Sequence, residues 1–231
     1  MSGCCGPEGD GRYSEIFDER FASSLARRYL RRGPTAPERR IVDALSGLGL
    51  PGRSVLEIGG GVGELQLELL SRGAAETVNL ELSDAYEEQA DELMRASGVD
   101  GRVTRIVGVD LAAASDPGVA RADYVLLHRV ICCYPDFAGL LGAAADHART
   151  AVVFSHPARN LFTRAAVTMS NAWMALTGRR YRGYVHSPAG MLAVLSAHGL
   201  SLTTYERSKR WHIAVAVREP AAVRAPAGGH L

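Results

Sequence analysis

An apolar run, Ser54-Val55-Leu56-Glu57-Ile58, leads straight into Gly59-Gly60-Gly61-Val62-Gly63 and then into a helix-forming stretch, Glu64-Leu65-Gln66-Leu67-Glu68-Leu69-Leu70. No other feature restricts the fold as much. A short, nearly continuous apolar strand is one buried on both faces, and such strands belong to parallel sheets covered by helices. Glycines between strand and helix let a ligand approach the backbone closely, because no Cβ intervenes, and bring it to the amino end of the helix. The spacing narrows the ligand. A dinucleotide fingerprint G-x-G-x-x-G begun at Gly59 needs a glycine where Glu64 stands. No G-K-[ST] follows, so a Walker loop is excluded.

The rest of the chain fits the same plan. After Pro51-Gly52, strands over Ser54–Ile58, Thr77–Leu82, Val103–Val109, Tyr124–His128 and Ala151–Ser155 alternate with helices through Leu65–Leu70, over 84–97 and over 136–147. There follow a helix over 161–177, a basic aromatic stretch Arg179–Tyr184, a helix from Pro188 to His198, and two antiparallel strands, Leu202–Ser208 and Trp211–Arg218. Ahead of the sheet, Tyr13, Ile16, Phe17, Phe21, Leu25 and Tyr29 fall close to one helical face that stops at Gly33-Pro34. Thr35 and Glu38 then have capping-box spacing for a second helix. These segments divide the chain into a head with lid helices (1–50), a ligand-binding domain with a lid insertion at 161–186 (51–218), and a frayed tail (219–231). At 231 residues the chain can bury a sizeable core.

The segment VLEIGGGVGE, an acid followed by G-x-G-x-G, resembles the first motif of the class I S-adenosylmethionine-dependent methyltransferase superfamily, and the order of elements matches over about residues 40–218. The resemblance implies a Rossmann-like sheet, mostly parallel with an antiparallel C-terminal strand, helices on both faces and an N-terminal helical lid. It implies S-adenosyl-L-methionine as cofactor. Carried over residue by residue, it puts Glu57, Gly59, Gly61 and Gly63 around the methionine and ribose part, Glu81 on the ribose hydroxyls, and Asp110 with Leu111 at the adenine. Plainer readings stand beside these: a tight turn or another nucleotide loop for the glycines, helix-start chemistry for an acid before Ser83-Asp84, a solvated loop acid for Asp110. The whole chain, including RRYLRRG, HRVICCYPD and FSHPARN, resembles small-molecule methyltransferases of actinobacterial type.

In open parallel sheets, ligands lie beyond the carboxyl ends of the strands. That directs His128–Asp136 and His156–Asn160 toward a reacting methyl group. Methyl transfer from a sulfonium is an in-line displacement, so positioning supplies most of the rate, and a base is needed only if the nucleophile must lose a proton. His128 and His156 are the candidate bases, with His128 also a candidate cofactor contact; Tyr134 is a candidate hydrogen-bond donor or wall. A strand-end histidine is as readily a hydrogen-bonded core residue. Phe162, Met169, Trp173, Tyr181 and Tyr184 are candidates for an apolar acceptor pocket, with Arg179, Arg180 and Arg182 near an acidic group. Alternatively the helix at 161–177 packs a homodimer partner or touches a membrane surface.

Other classes are disfavoured. Net charge is +1, without the broad basic field that nucleic acid requires. HRVICC stands where an N-P-P-Y-type segment would mark adenine or glutamine N-methylation. No signal peptide is expected at the start, and the longest uncharged helical stretch, Ala165–Gly178, is too short and too polar to span a bilayer. The four cysteines form adjacent pairs, Cys4-Cys5 and Cys132-Cys133, without C-x-x-C spacing. They read as reduced thiols in a cytoplasm with no metal, the alternative being a thiol cluster, metal site or redox latch joining the pairs at the cavity mouth. The expected function is methyl transfer to oxygen, nitrogen or carbon of a small molecule. A non-methylating cyclisation or elimination is one competitor, and an interaction module that has lost the cofactor is another.

Overall fold

A computed structural model describes residues 11–99, 101–114 and 118–219; the Cys4-Cys5 pair and residues 220–231 of the tail lie outside them. The strands are β1 (Ser54–Ile58), β2 (Glu76–Glu81), β3 (Val103–Val107), β4 (Ala122–Leu127), β5 (Ala148–Pro157), β6 (Leu200–Glu206) and β7 (Trp211–Arg218). They form a seven-stranded sheet in the order β3-β2-β1-β4-β5-β7-β6. The first five strands run parallel, β7 runs antiparallel to both its neighbours, and the strand order reverses between β1 and β4. The expected mostly parallel sheet with an antiparallel C-terminal strand is what is found.

Strand alternation sorts the apolar side chains into two cores. Val55, Tyr124, Leu126, Val153 and Val215 face a layer with α1 (Glu19–Arg32), α2 (Ala36–Gly47), α3 (Glu64–Ser71) and α4 (Glu87–Ser97). Leu56, Val125, Leu127, Phe154 and Ala214 face α5 (Phe137–His147) and α7 (Pro188–Ala197). The helices α1, α2 and α3 are also tied by charge: Arg28 donates to both oxygens of the buried Glu38 at 3.2 Å and to Glu64 at 3.0 Å.

Several boundaries differ from the sequence expectation. The apolar face begun at Tyr13 is broken: Tyr13–Phe17 closes its own turn, with Phe17 N–H donating to Tyr13 O at 2.8 Å. Asp18 then caps α1 by accepting from Phe21 N–H at 2.9 Å. β3 stops at Val107, because Gly108 takes φ 80° and leaves the extended region. β5 is longer than expected at both ends, since Ala148 pairs with Ala122 of β4 and β7 pairs with the strand through Pro157. Finally, α6 (Leu161–Leu176), capped by Asn160, buries no residue; Phe162 and Leu176 are 83% exposed and Trp173 64%. No helix among the described residues is long and apolar enough to cross a membrane.

Candidate cofactor and acceptor cavity

The turn after β1 is a left-handed one: Gly59, Gly61 and Gly63 have φ of 67°, 54° and 84°. A Cβ on Gly59 would sit 2.6 Å from the Val130 side chain, so both conformation and contact exclude larger residues there. Side chains from the next two strands hold the loop. Gly60 N–H donates to Asn79 Oδ1 at 3.1 Å and Gly61 N–H to Glu81 Oε2 at 3.0 Å, while the other Glu81 oxygen accepts from Leu82 N–H and Ser83 N–H at 2.8 and 3.2 Å. Arg105 of β3 chelates Glu87 and donates to Gly61 O at 2.9 Å.

Glu57, only 2% exposed at the end of β1, is different: its Oε2 has no hydrogen-bond partner. Burial, with the nearby Glu64 charge adding to it, pushes its carboxyl up to about 8 against a smaller opposing pull from Arg105. A buried carboxylate oxygen left unpaired is costly, and a cationic donor in the adjoining space would relieve it.

That space is a cavity of about 310 Å³. Glu57, Gly59–Gly61, Glu81, Asp110 and Leu111 wall one side. His128–Val130, Cys132–Tyr134 and Trp211 wall the other, and Tyr13, Phe17, Phe21, Leu25 and Tyr181 cover it. The roof is an aromatic chain, with Phe17 edge-on to Tyr181 and to Phe21 at centroid distances of 5.5 and 5.6 Å. Asp110 is fixed by Tyr134 O–H, 2.8 Å from Oδ2, and by Ala112 N–H, 3.0 Å from Oδ1. Tyr134 is therefore committed to a carboxylate, and burial and that bond push its phenol up.

His128 Nδ1 lies 2.9 Å from Ser155 Oγ, which also accepts from Arg129 N–H at 2.9 Å. Burial first, then the Arg129 and Arg28 charges, lower the imidazole to about 3, so it stays neutral at pH 7. Arg129 is the one non-glycine among the described residues with positive φ, 62°, and its guanidinium lies 5.0 Å over the Trp211 ring.

Eight of the residues singled out from sequence thus share one wall system: Glu57, Gly59, Gly61, Glu81, Asp110, Leu111, His128 and Tyr134. Two do not. Gly63 caps α3 in the left-handed region, where a Cβ would lie 2.4 Å from Met94 Cε, so helix packing demands it. His156 sits inside β5, and strand alternation points it away from its neighbour Ser155. It is 2% exposed, with Nε2 2.9 Å from Tyr205 O–H and Nδ1 3.0 Å from Pro157 O. Of the proposed apolar box, Tyr181 reaches the cavity, whereas Phe162, Met169 and Trp173 are exposed on α6. Sequence reasoning did not find Arg105, Tyr86 or Trp211 as cavity or loop residues, and it placed Tyr13, Phe17, Phe21 and Leu25 only on a lid helix, by their helical spacing.

A family model described as a methyltransferase domain matches residues 21–210. The chain belongs to this methyltransferase family. Its fold is that of the class I S-adenosylmethionine-dependent enzymes. The magnesium protoporphyrin IX methyltransferase of Synechocystis PCC 6803, solved with bound S-adenosylhomocysteine, superposes on it with TM-score 0.67 and 20% identity, over 89% of this chain and 100% of that one. An O-methyltransferase family protein from Burkholderia thailandensis gives TM-score 0.70 and 20% identity, over 90% of this chain and 63% of that one. Among curated sequences, the ribosomal protein L11 methyltransferase of Enterobacter sp. (strain 638) is 27% identical over 146 residues, 59% of this chain and 48% of that protein. The chain therefore spans about half the length of the curated relatives it matches. The orphaned Glu57 oxygen and the amide-pinned Glu81 fit the family's methyl donor, which carries an ammonium group and a ribose diol.

Proposed function

We propose that the protein transfers a methyl group from S-adenosyl-L-methionine to a small-molecule acceptor. The buried Glu57 side chain, which lines the cavity and has an oxygen without a hydrogen-bond partner, carries the reading. When bound, the sulfonium donor supplies an electrophilic methyl group that needs no further activation. Glu57 holds the donor's ammonium, and Gly59–Gly61 let its methionine part lie against backbone. Glu81, kept in place by three amides, receives the ribose hydroxyls, and Asp110, steadied by Tyr134, meets the adenine beside Leu111. His128 acts as a hydrogen-bonding guide for the acceptor. An imidazole lowered to about 3 is too weak a base to collect a proton efficiently at neutral pH. Roof aromatics and Trp211 favour an apolar or aromatic acceptor, and their closure excludes water from the methyl group.

Residues 51–218 act as the catalytic domain, 1–50 as head and lid, 161–186 as a lid insertion and 219–231 as a tail. Its setting is a reducing one such as a cytoplasm, with Cys132 and Cys133 as free thiols. Nucleic acid is not the acceptor on this reading, and a homodimer is the use left to the apolar side of α6.

The test uses the donor labelled on its methyl group, offered with a cell extract split by size. Label is expected in the small-molecule fraction, with S-adenosylhomocysteine formed in equal amount, and Glu81→Ala should abolish both. Label confined to a protein band would overturn the proposal in favour of a protein substrate, and a small-molecule product formed with neither label transfer nor S-adenosylhomocysteine would overturn it in favour of a non-methylating reaction.

A further inference from the structure

Cys132 and Cys133 occupy the last two positions of a 3₁₀ turn, Ile131–Cys133, and both side chains lie in the cavity wall. Their sulfurs are 3.7 Å apart, and both approach the same carbonyl, Arg129 O, at 3.4 and 3.6 Å. The turn is also where the two parts of the roof are fastened. Tyr13 O–H donates to Cys133 O at 3.3 Å, Tyr181 O–H donates to Cys133 Sγ at 3.1 Å, and Tyr184 N–H donates to Cys132 O at 2.7 Å. One dithiol therefore anchors segments that lie far from each other along the chain. The methyl-transfer reading gives neither sulfur any task.

We propose that Cys132 and Cys133 form a peroxide-sensitive dithiol whose oxidation to a disulfide between them unfastens the roof of the cavity. The attacking sulfur is Cys133. The hydrogen bond from Cys132, helped by Tyr181 O–H and the charge of Arg129, favours its thiolate against burial, whereas the shared bond and then burial raise Cys132. Cys133 Sγ attacks a peroxide oxygen; the S–O bond forms, the O–O bond breaks, and the leaving hydroxide takes a proton to become water. Cys132 Sγ then attacks Cys133 Sγ; the S–S bond forms and the S–O bond breaks, releasing a second water. Two thiols lose two electrons and two protons to one peroxide.

The product cannot leave the turn as it is. Adjacent α-carbons are about 3.8 Å apart across a trans peptide, below the span of about 4.4 Å or more that disulfides prefer. The peptide must twist, which moves the carbonyls that receive Tyr13 and Tyr184. The sulfur that receives Tyr181 is no longer a thiolate. Such a strained bond is also readily reduced, which suits a reversible switch.

The experiment uses the full chain with Cys4→Ser and Cys5→Ser, so that only the described pair can react. Hydrogen peroxide is expected to remove two hydrogens from the peptide carrying Cys132-Cys133. It should also speed tryptic cleavage after Arg12, Arg179 and Arg182 by roughly tenfold, with dithiothreitol reversing both. Cys132→Ala and Cys133→Ala, each compared with its own untreated state, should show no peroxide-induced change in cleavage. A pair that goes only to sulfinate, or a disulfide that forms with cleavage unchanged, would overturn the proposal. Neither readout needs methyl transfer, so this switch and the proposed activity fail separately.

Discussion

Where the loop Gly59–Gly63 meets β2, polar contacts run through the backbone: amides of Gly60, Gly61, Leu82 and Ser83 reach Asn79 and Glu81. Across the cavity, His128, Arg129, Tyr181 and Trp211 present side chains from three widely separated stretches of chain, and a stacked guanidinium and edge-on rings do the holding. The difference teaches which side can vary. Backbone contacts on a short contiguous segment tolerate no change in conformation, whereas a wall of side chains can be rebuilt one residue at a time to take another acceptor.

The largest effect should come from breaking the backbone side. Gly61 has φ 54°, and a β-branched residue there is strained even though the nearest atom to a Cβ, on Tyr86, is 3.4 Å away. Gly61→Val is expected to weaken S-adenosylmethionine binding by at least about 100-fold, near 2.7 kcal/mol, while circular dichroism shows a folded protein. Calorimetric affinity equal to wild type would move the donor site elsewhere.

Next in size is a pH effect at Glu57. Its folded carboxyl is raised to about 8 from 4.5, so between those values the folded protein keeps a proton that the unfolded chain has given up. Stability of the free protein from this group therefore falls as pH rises through that window. An ammonium ligand reverses the preference, because it binds the ionised form and drives the proton off. Affinity should rise by up to about tenfold per unit between roughly pH 5 and pH 7, where the donor's amino group stays charged. Titration calorimetry in buffers of different ionisation enthalpy should register one proton released, and Glu57→Gln should remove both the release and the slope. A slope that survives the substitution would assign it to another group.

A smaller change tests the junction of the two sides. Tyr134 belongs to the segment after β4 yet steadies Asp110 on the donor side. Tyr134→Phe deletes that bond and leaves Ala112 N–H on the carboxylate, so donor affinity should drop about threefold to tenfold. A loss as large as that of Gly61→Val would mean that the phenol touches the cofactor itself.

The same contrast explains what was legible in the sequence. Glu57, Gly59, Gly61 and Glu81 could be read because β1, the turn, α3 and β2 follow one another directly along the chain, and left-handed glycines leave a mark on composition. His156 misled because the end of β5 was set at Ser155, while pairing with β7 carries the strand through Pro157 and turns that ring into the β6–β7 layer. Gly63 has the spacing of a cofactor glycine, but Met94 on α4 decides its identity. Trp211 and Arg105 had no local signal at all, since only the sheet order brings them to the cavity and the loop.

The smallest expected effect concerns α6, whose aromatic stripe looked like an acceptor box. Periodicity reports that one side of a helix is apolar; it says nothing of what that side meets. Trp173 is 64% exposed and its helix buries no side chain, so Trp173→Ser removes little apolar contact from the folded chain. Stability should stay within about 0.5 kcal/mol by urea titration. Donor affinity should not change, because the donor residues lie across β1, β2 and the segment after β3, none of which α6 covers. Acceptor turnover is the discriminating readout. If KM for the acceptor rises sharply while donor affinity holds, α6 swings over the side-chain wall during the reaction, and that wall includes one more element than the ones now facing the cavity.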